Sequence, residues 1–141
     1  MTEQSELLFV YGTLMKDTHH PMAKLLAEHS EFICRAPLQA QLYLIDYYPG
    51  AILSNNEHDI VYGDLYKLSS TGWLLNQLDG YEECSSAFPE PHEYQRQQVT
   101  VQTINSTLKI STAWAYLYQY PVENKQRISD GQFNMHFSDG K

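Results

Sequence analysis

A short apolar run near the start of the chain constrains the fold more than any other feature. Residues Leu7 to Val10 are all apolar and lead into Tyr11, a pattern that predicts a strand buried on both faces. The run stops at Gly12, a residue type that permits a positive φ and lets another group approach the backbone closely. The N–H groups beyond such a strand are unpaired. We therefore expect this turn either to bind a carboxylate or an oxyanion, or simply to join two core strands.

Apolar spacing and turn residues predict the remaining elements. One helix is expected from Pro21 to His29, and a second follows Ser69 or Ser70 and ends at Leu78. The second helix has one apolar face, made by Leu74, Leu75 and Leu78. Further strands are expected at Glu31–Ala36, Leu38–Ile45, Ile60–Leu68, Tyr94–Ile104 and Leu108–Tyr118. We expect a turn at Tyr47–Gly50, a loop at residues 83–92 and irregular structure after Pro121.

Many strands accompanied by two short helices indicate the α+β class. The expected architecture is a small mixed β-barrel with short flanking helices, closed or nearly closed. The chain has 141 residues, of which 43% are hydrophobic, so we expect a single domain spanning residues 1–141 with a core that needs no disulfide.

Composition also limits the partners. The net charge of −8 argues against nucleic acid and anionic membrane surfaces, because both select basic proteins. No apolar run approaches the roughly 20 residues of a spanning helix. The first residues are polar and acidic rather than typical of a signal peptide, so we expect a cytoplasmic protein in which Cys34 and Cys84 are free thiols. The oligomeric state is left open.

A series of short motifs follows the first strand. They are Tyr11-Gly12-Thr13-Leu14, Tyr48-Pro49-Gly50, Val61-Tyr62-Gly63-Asp64-Leu65-Tyr66, Leu78-Asp79-Gly80-Tyr81-Glu82, Tyr94-Gln95-Arg96 and Ala113-Trp114-Ala115-Tyr116. In this order and spacing, from about Leu7 to Phe133, the chain resembles the gamma-glutamylcyclotransferase-like family. It is most similar to the branch of gamma-glutamylamine cyclotransferase and the plant avirulence-induced-gene proteins.

The resemblance implies an enzyme with a small α+β barrel. Its expected reaction converts a small gamma-glutamyl amine or amino compound to 5-oxoproline and a free amine, with neither cofactor nor metal. In the family pattern Leu-Asp-x-Tyr-Glu, the last residue is the catalytic acid and base, which here is Glu82. The expected substrate-binding residues are Tyr11, Gly12, Thr13 and Leu14, whose N–H groups would hold the substrate's carboxylate or the developing oxyanion.

The residues themselves leave two readings of Glu82 open. A carboxyl group against aromatic surface such as Tyr81 is desolvated, which raises its pKa toward the range useful for proton transfer. Composition alone favours a solvated glutamate at a helix end. Glu83 stands where many relatives have glycine, so it is the first alternative for the base.

Other polar residues have weaker signals. Asp79 is expected to make structural hydrogen bonds to the loop that follows it, and Arg96 either to pair with a buried carboxylate such as Asp79 or to be a surface charge. Asp64 is expected either to orient a substrate ammonium group or, more in keeping with its residue type, to lie exposed at the barrel rim. The six histidines lack the spacing of a zinc site, so no metal is expected.

Two other functions compete with the cyclotransferase. The same fold is compatible with a noncatalytic module that binds a small ligand or a partner, because fold does not imply function. Cys84 and His92 share one predicted loop, which leaves a cysteine-dependent hydrolase as a weaker alternative.

Overall fold

The computed structural model describes residues 6–12, 21–45, 48–69, 71–82, 92–104 and 108–133. The elements are β1 (Glu6–Val10), α1 (Pro21–Glu28), β2 (Ser30–Leu44), β3 (Pro49–Leu53), β4 (Ile60–Leu68), α2 (Thr71–Tyr81), β5 (Tyr94–Ile104), β6 (Leu108–Tyr118) and β7 (Gln126–Arg127). The strands form one mixed sheet in the order β3-β2-β4-β1-β6-β5, and β7 pairs with β2. The sheet is curled into a half-barrel with two helices, which confirms the predicted fold class.

The first strand occupies the centre of this sheet. It pairs antiparallel with β4 and parallel with β6. Phe9 packs into the core on the concave side, whereas Leu8 and Val10 pack into the core beneath the helices. All three are almost inaccessible to solvent, so the predicted burial on both faces is confirmed.

Alternation along the strands builds the concave core. On β2, alternate residues from Ala36 to Leu42 point inward, and Val61 and Leu65 of β4 do the same. Alternating small and large side chains suit the tight interior of a small barrel. Among the described residues, strand β5 lies against β2 without pairing with it, which narrows the open side of the half-barrel.

The second core lies between the outer face of the sheet and the helices. The buried residues of α1 are Ala23 and Leu26. Helix α2 contributes Leu74, Leu75 and Leu78, the apolar face that the sequence predicts. Among the described residues, no helix is long and apolar enough to cross a membrane.

Four predicted boundaries are wrong. The two strands expected around Pro37 are one strand, β2. Pro37 pairs with β4 on one side, and on the other side β3 pairs only with residues Ala40 to Leu44, among the described strands. A proline is tolerated where one side of a strand has no ladder partner. Pro49 and Gly50 begin β3 instead of forming a turn. Residues Gln126–Arg127, expected to be irregular, form β7.

The fourth correction concerns the end of α2. The helix continues past Leu78 to Tyr81, and the Glu82 N–H donates to the Leu78 carbonyl at 2.9 Å. Asp79 and Glu82 are therefore three residues apart at the end of one helix and share a face.

Gly63 tests the close packing of β1 against β4. A Cβ atom there would collide with the Val10 carbonyl oxygen and lie 2.7 Å from the Phe9 ring. We predict that Gly63→Ala destabilises the fold by about 1–3 kcal/mol or more, as overpacking does. The control is Gly72→Ala in α2, where a Cβ meets nothing within 4 Å and where alanine stabilises by up to about 1 kcal/mol. Urea unfolding of both variants measures the difference; equal stabilities would contradict the prediction.

Candidate active site

Five elements meet at one end of the half-barrel. Strands β1 and β6 and helix α2 end there, and β3 and β5 begin there, as the contacts among their terminal residues show. Tyr94, the first residue of β5, donates its hydroxyl hydrogen to the carbonyl of Pro49, the first residue of β3, at 2.6 Å. The Pro49 ring in turn lies against Gly12, just beyond β1.

Gly12 is required here by packing and not by its backbone angle. Its φ is not in the positive region, but a Cβ would lie 2.9 Å from Cγ of Pro49. The close approach that the sequence predicts is therefore made by a residue of β3. Thr13 and Leu14 lie outside the described residues, so their part in the expected anion-binding turn stays a prediction.

Tyr11 ties three strands together at this end. Its buried hydroxyl donates to the Tyr116 carbonyl of β6 at 2.6 Å and accepts from the Ala51 N–H of β3 at 3.1 Å. Burial, with a contribution from the charge of Glu82, raises the pKa of Tyr11 well above its ordinary value. The hydroxyl proton of Tyr11 is thus used in the hydrogen bond to the Tyr116 carbonyl.

Glu82 follows α2 directly, and protein surrounds its carboxyl group although the residue as a whole is partly exposed. This desolvation, followed by the charges of Glu93 and Asp79, raises the pKa of Glu82 from 4.5 to about 8. Burial disfavours the charged form of a carboxyl group, and neighbouring carboxylates oppose ionisation further. The charge of Glu82 in turn contributes to the raised pKa values of the Tyr11 and Tyr94 hydroxyl groups, which shows that they are close to it. The structure therefore brings Glu82 to the end of β1, about seventy residues away along the chain.

Tyr94 is one of the tyrosines close to this carboxyl group. Burial is the first cause that raises the pKa of Tyr94, and the charges of Glu82 and Glu93 add to it. The Tyr94 ring centroid is 6.1 Å from that of Tyr48 and 5.6 Å from that of Tyr118. The Tyr48 hydroxyl donates to Oε2 of Glu93 at 2.6 Å. Tyr94 therefore belongs to a cluster of aromatic rings that also contains Tyr48 and Tyr118.

Glu93, which directly precedes β5, is not among the residues that the sequence indicates. Its contact with Tyr48 spans 45 residues, so no local spacing indicates it. Tyr48, Tyr94 and Tyr116 all occur in the quoted family motifs, which is the one signal that marked their positions.

The predicted pairing of Arg96 with Asp79 is confirmed. The Arg96 guanidinium donates from Nε to Oδ1 of Asp79 at 2.8 Å and from Nη2 to Oδ2 of Asp79 at 3.1 Å. The Tyr116 hydroxyl donates to the same Oδ1 at 2.6 Å. Asp79 thus makes structural hydrogen bonds, as expected, but to β5 and β6.

Asp64 does not lie exposed at the rim; that expectation is wrong. It is 3% exposed on β4, opposite Val10 and Arg35 in the strand ladders. The Cys34 thiol forms no disulfide. Its pKa is raised first by burial and second by the charge of Asp64. The role of Asp64 toward a substrate ammonium stays a prediction.

Glu83, the alternative base, and Cys84, the alternative nucleophile, lie outside the described residues. His92, the expected partner of Cys84, is half-buried just before β5. No group of three metal-binding side chains occurs in the part of the chain that the structure describes. Glu82 is suited to exchange protons near neutral pH, because its pKa of about 8 allows both forms to be populated.

The chain matches a family of known proteins along most of its length. A family model described as "Gamma-glutamyl cyclotransferase, AIG2-like" matches residues 8–135. The chain is 32% identical over 130 residues to the gamma-glutamylcyclotransferase family protein ytfP of Citrobacter rodentium, covering 89% of this chain and 93% of that protein.

Solved structures show the same fold. YkqA of Bacillus subtilis superposes with a TM-score of 0.69 and 27% identity over 98% of this chain, which spans 44% of the YkqA chain. An AIG2-like protein from mouse superposes with a TM-score of 0.61 and 20% identity, covering 94% of this chain and 97% of the mouse chain.

The raised pKa of Glu82 has a consequence for stability. A carboxyl group whose pKa is higher in the folded state than the ordinary 4.5 favours folding while protonated. That stability is present below pH 4.5 and is lost as pH rises to about 8. We predict that Glu82→Gln is more stable than wild type by about 3 kcal/mol at pH 7 and nearly equal to it at about pH 4.

Denaturant unfolding across this pH range measures the effect. Glu28→Gln is the matched control, since Glu28 is also a helix-end glutamate but is exposed. It should leave the pH dependence unchanged. A Glu82→Gln variant with the pH dependence of wild type would show that the carboxyl group is solvated.

Proposed function

This chain belongs to the gamma-glutamyl cyclotransferase family, AIG2-like, and we propose that it converts a small gamma-glutamyl amine or amino compound to 5-oxoproline and a free amine. Glu82 serves as the general acid and base. The observation that carries the proposal is the desolvated Glu82 carboxyl, with its pKa raised to about 8, beside the end of β1. A carboxyl group in this state both accepts and returns a proton near neutral pH.

The reaction is an intramolecular aminolysis. The substrate's α-amine attacks its own γ-carbonyl carbon, a C–N bond forms, and the carbonyl oxygen becomes an oxyanion. The Glu82 carboxylate accepts the proton that the attacking nitrogen loses. The protonated carboxyl then donates this proton to the leaving nitrogen as its bond to the γ-carbon breaks, so 5-oxoproline and the amine form without consumption of water.

Little other chemistry is required because the nucleophile belongs to the substrate. Holding the amine against the carbonyl group removes the entropy cost of bringing two reactants together, a gain that reaches about 7–11 kcal/mol in well-oriented intramolecular reactions. The burial of the Glu82 carboxyl group supports this role, because electrostatic interactions are stronger where water is excluded. Backbone N–H groups of Gly12, Thr13 and Leu14 would stabilise the oxyanion.

We predict that Glu82→Gln abolishes 5-oxoproline formation while the fold is retained. The amide preserves the side-chain shape and cannot accept the proton, and loss of a general base costs about 10²–10⁴-fold in rate. The measurement is 5-oxoproline release from a panel of gamma-glutamyl amines, gamma-glutamyl amino acids and glutathione. Glu28→Gln should retain wild-type activity.

The outcomes of this panel separate the alternatives. A Glu82→Gln variant that keeps most of its activity would place the base elsewhere, with Glu83 tested first. A wild-type protein that binds 5-oxoproline but turns over none of the panel would be a binding module and not an enzyme.

A second prediction concerns pH. Because the base must be deprotonated, kcat/KM should rise with pH and level off above about pH 8. The substrate's amine titrates in the same region, so the enzyme's contribution is identified with Glu93→Gln. Removing that neighbouring charge lowers the pKa of Glu82 and should move the rising limb to lower pH. An unmoved limb would assign it to the substrate amine.

A further inference from the structure

We propose that Arg96 and Tyr116 are positioning residues for the reaction: through Asp79 they hold the last turn of α2, and with it Glu82, against the end of β1. This inference rests on the proposed function. It assigns to the two residues a task beyond the stability of the fold, namely the relative placement of the proton-transferring carboxyl group and the turn that receives the substrate's oxygen.

The need for these contacts follows from the position of Asp79. A carboxylate in the last turn of a helix is opposed by the helix dipole, so α2 gains nothing locally from an aspartate there. Arg96 donates two hydrogen bonds to the Asp79 carboxylate. Such a bidentate pair restricts both the orientation of the two groups and the distance between them. Glu82 follows three residues later on the same face, so its location depends on how this turn is held.

The guanidinium group is itself fixed. Its central carbon lies 4.5 Å from the ring centroid of Trp114 on β6, a cation–π contact that orients the plane of the group. The Trp114 ring nitrogen donates to Oε1 of Glu6 on β1 at 3.1 Å. The contacts therefore run from the central strand through β6 and β5 to the end of α2.

Tyr116 connects helix α2 directly with the end of β1. Its hydroxyl donates to Asp79 in α2, and its backbone carbonyl accepts the hydroxyl hydrogen of Tyr11 at the end of β1. One residue thus sets the position of both the helix that carries Glu82 and the strand that leads to Gly12. Proton transfer and oxyanion binding need these two parts at a defined separation.

The experiment compares Arg96→Met with Arg127→Met. Arg127 forms an ion pair with Asp59 at 2.8 Å, the same distance as the Arg96–Asp79 pair. The acidic partners are similarly buried, with side chains 12% and 13% exposed. The Arg127 pair joins β7 to the residue before β4 and does not involve α2. It therefore controls for the general effect of breaking an ion pair.

We expect Arg96→Met to lower kcat for 5-oxoproline formation by roughly tenfold or more with a smaller change in KM, because misplacement of a reacting group reduces the rate. Arg127→Met, assayed at a temperature where both variants are folded, should leave kcat within about twofold of wild type. Arg96→Lys, which keeps the charge and loses the bidentate fork, should restore kcat in part.

Tyr116→Phe removes one hydroxyl and keeps the ring and the carbonyl, so it tests the inference even if Arg96→Met does not fold. It should also lower kcat more than KM. Equal kcat in Arg96→Met and Arg127→Met, an effect on KM alone, or wild-type kcat in Tyr116→Phe would overturn the positioning role while leaving the proposed function intact. Absence of turnover in wild type would instead overturn the proposed function, and this inference with it.

Discussion

Burial of the central strand on both faces is the constraint on which the rest of this structure depends. Phe9 requires the sheet to curl around a concave core, and Leu8 and Val10 require helices on the other side. A strand buried in this way ends at the edge of both layers. The end of β1 is consequently the place where α2 and the neighbouring strands converge.

The same site carries a thermodynamic cost. A carboxyl group surrounded by protein and by two other acidic residues is ionised at the expense of folding free energy. Surface glutamates bear no such penalty. The proton transfer that we propose for Glu82 gives this desolvation a use, because a pKa near the working pH is an advantage for an acid and base catalyst. Stability and proposed catalysis thus oppose each other at one residue.

The two ion pairs illustrate how similar contacts acquire different roles. Asp59 accepts hydrogen bonds from Ser54, Gln41 and Arg127, and these bonds hold its pKa below the ordinary value. This cluster fastens the short strand β7 to the sheet. The Asp79 cluster fastens the end of a helix instead, and the residue that follows that helix is Glu82. Position in the fold, and not the chemistry of the pair, separates the two.

The sequence by itself determined the elements whose signals are local. The apolar run of β1, the alternation of β5 and β6 and the leucine face of α2 all depend on neighbours in the chain, and they formed as predicted. The family motifs likewise marked Glu82. Only the tertiary structure decided what surrounds it. Tyr11 reaches the carboxyl group from about seventy residues away along the chain, and Glu93 and Tyr94 reach it from the start of β5. Desolvation and charge–charge interaction depend on distance in space, so no spacing along the chain encodes them.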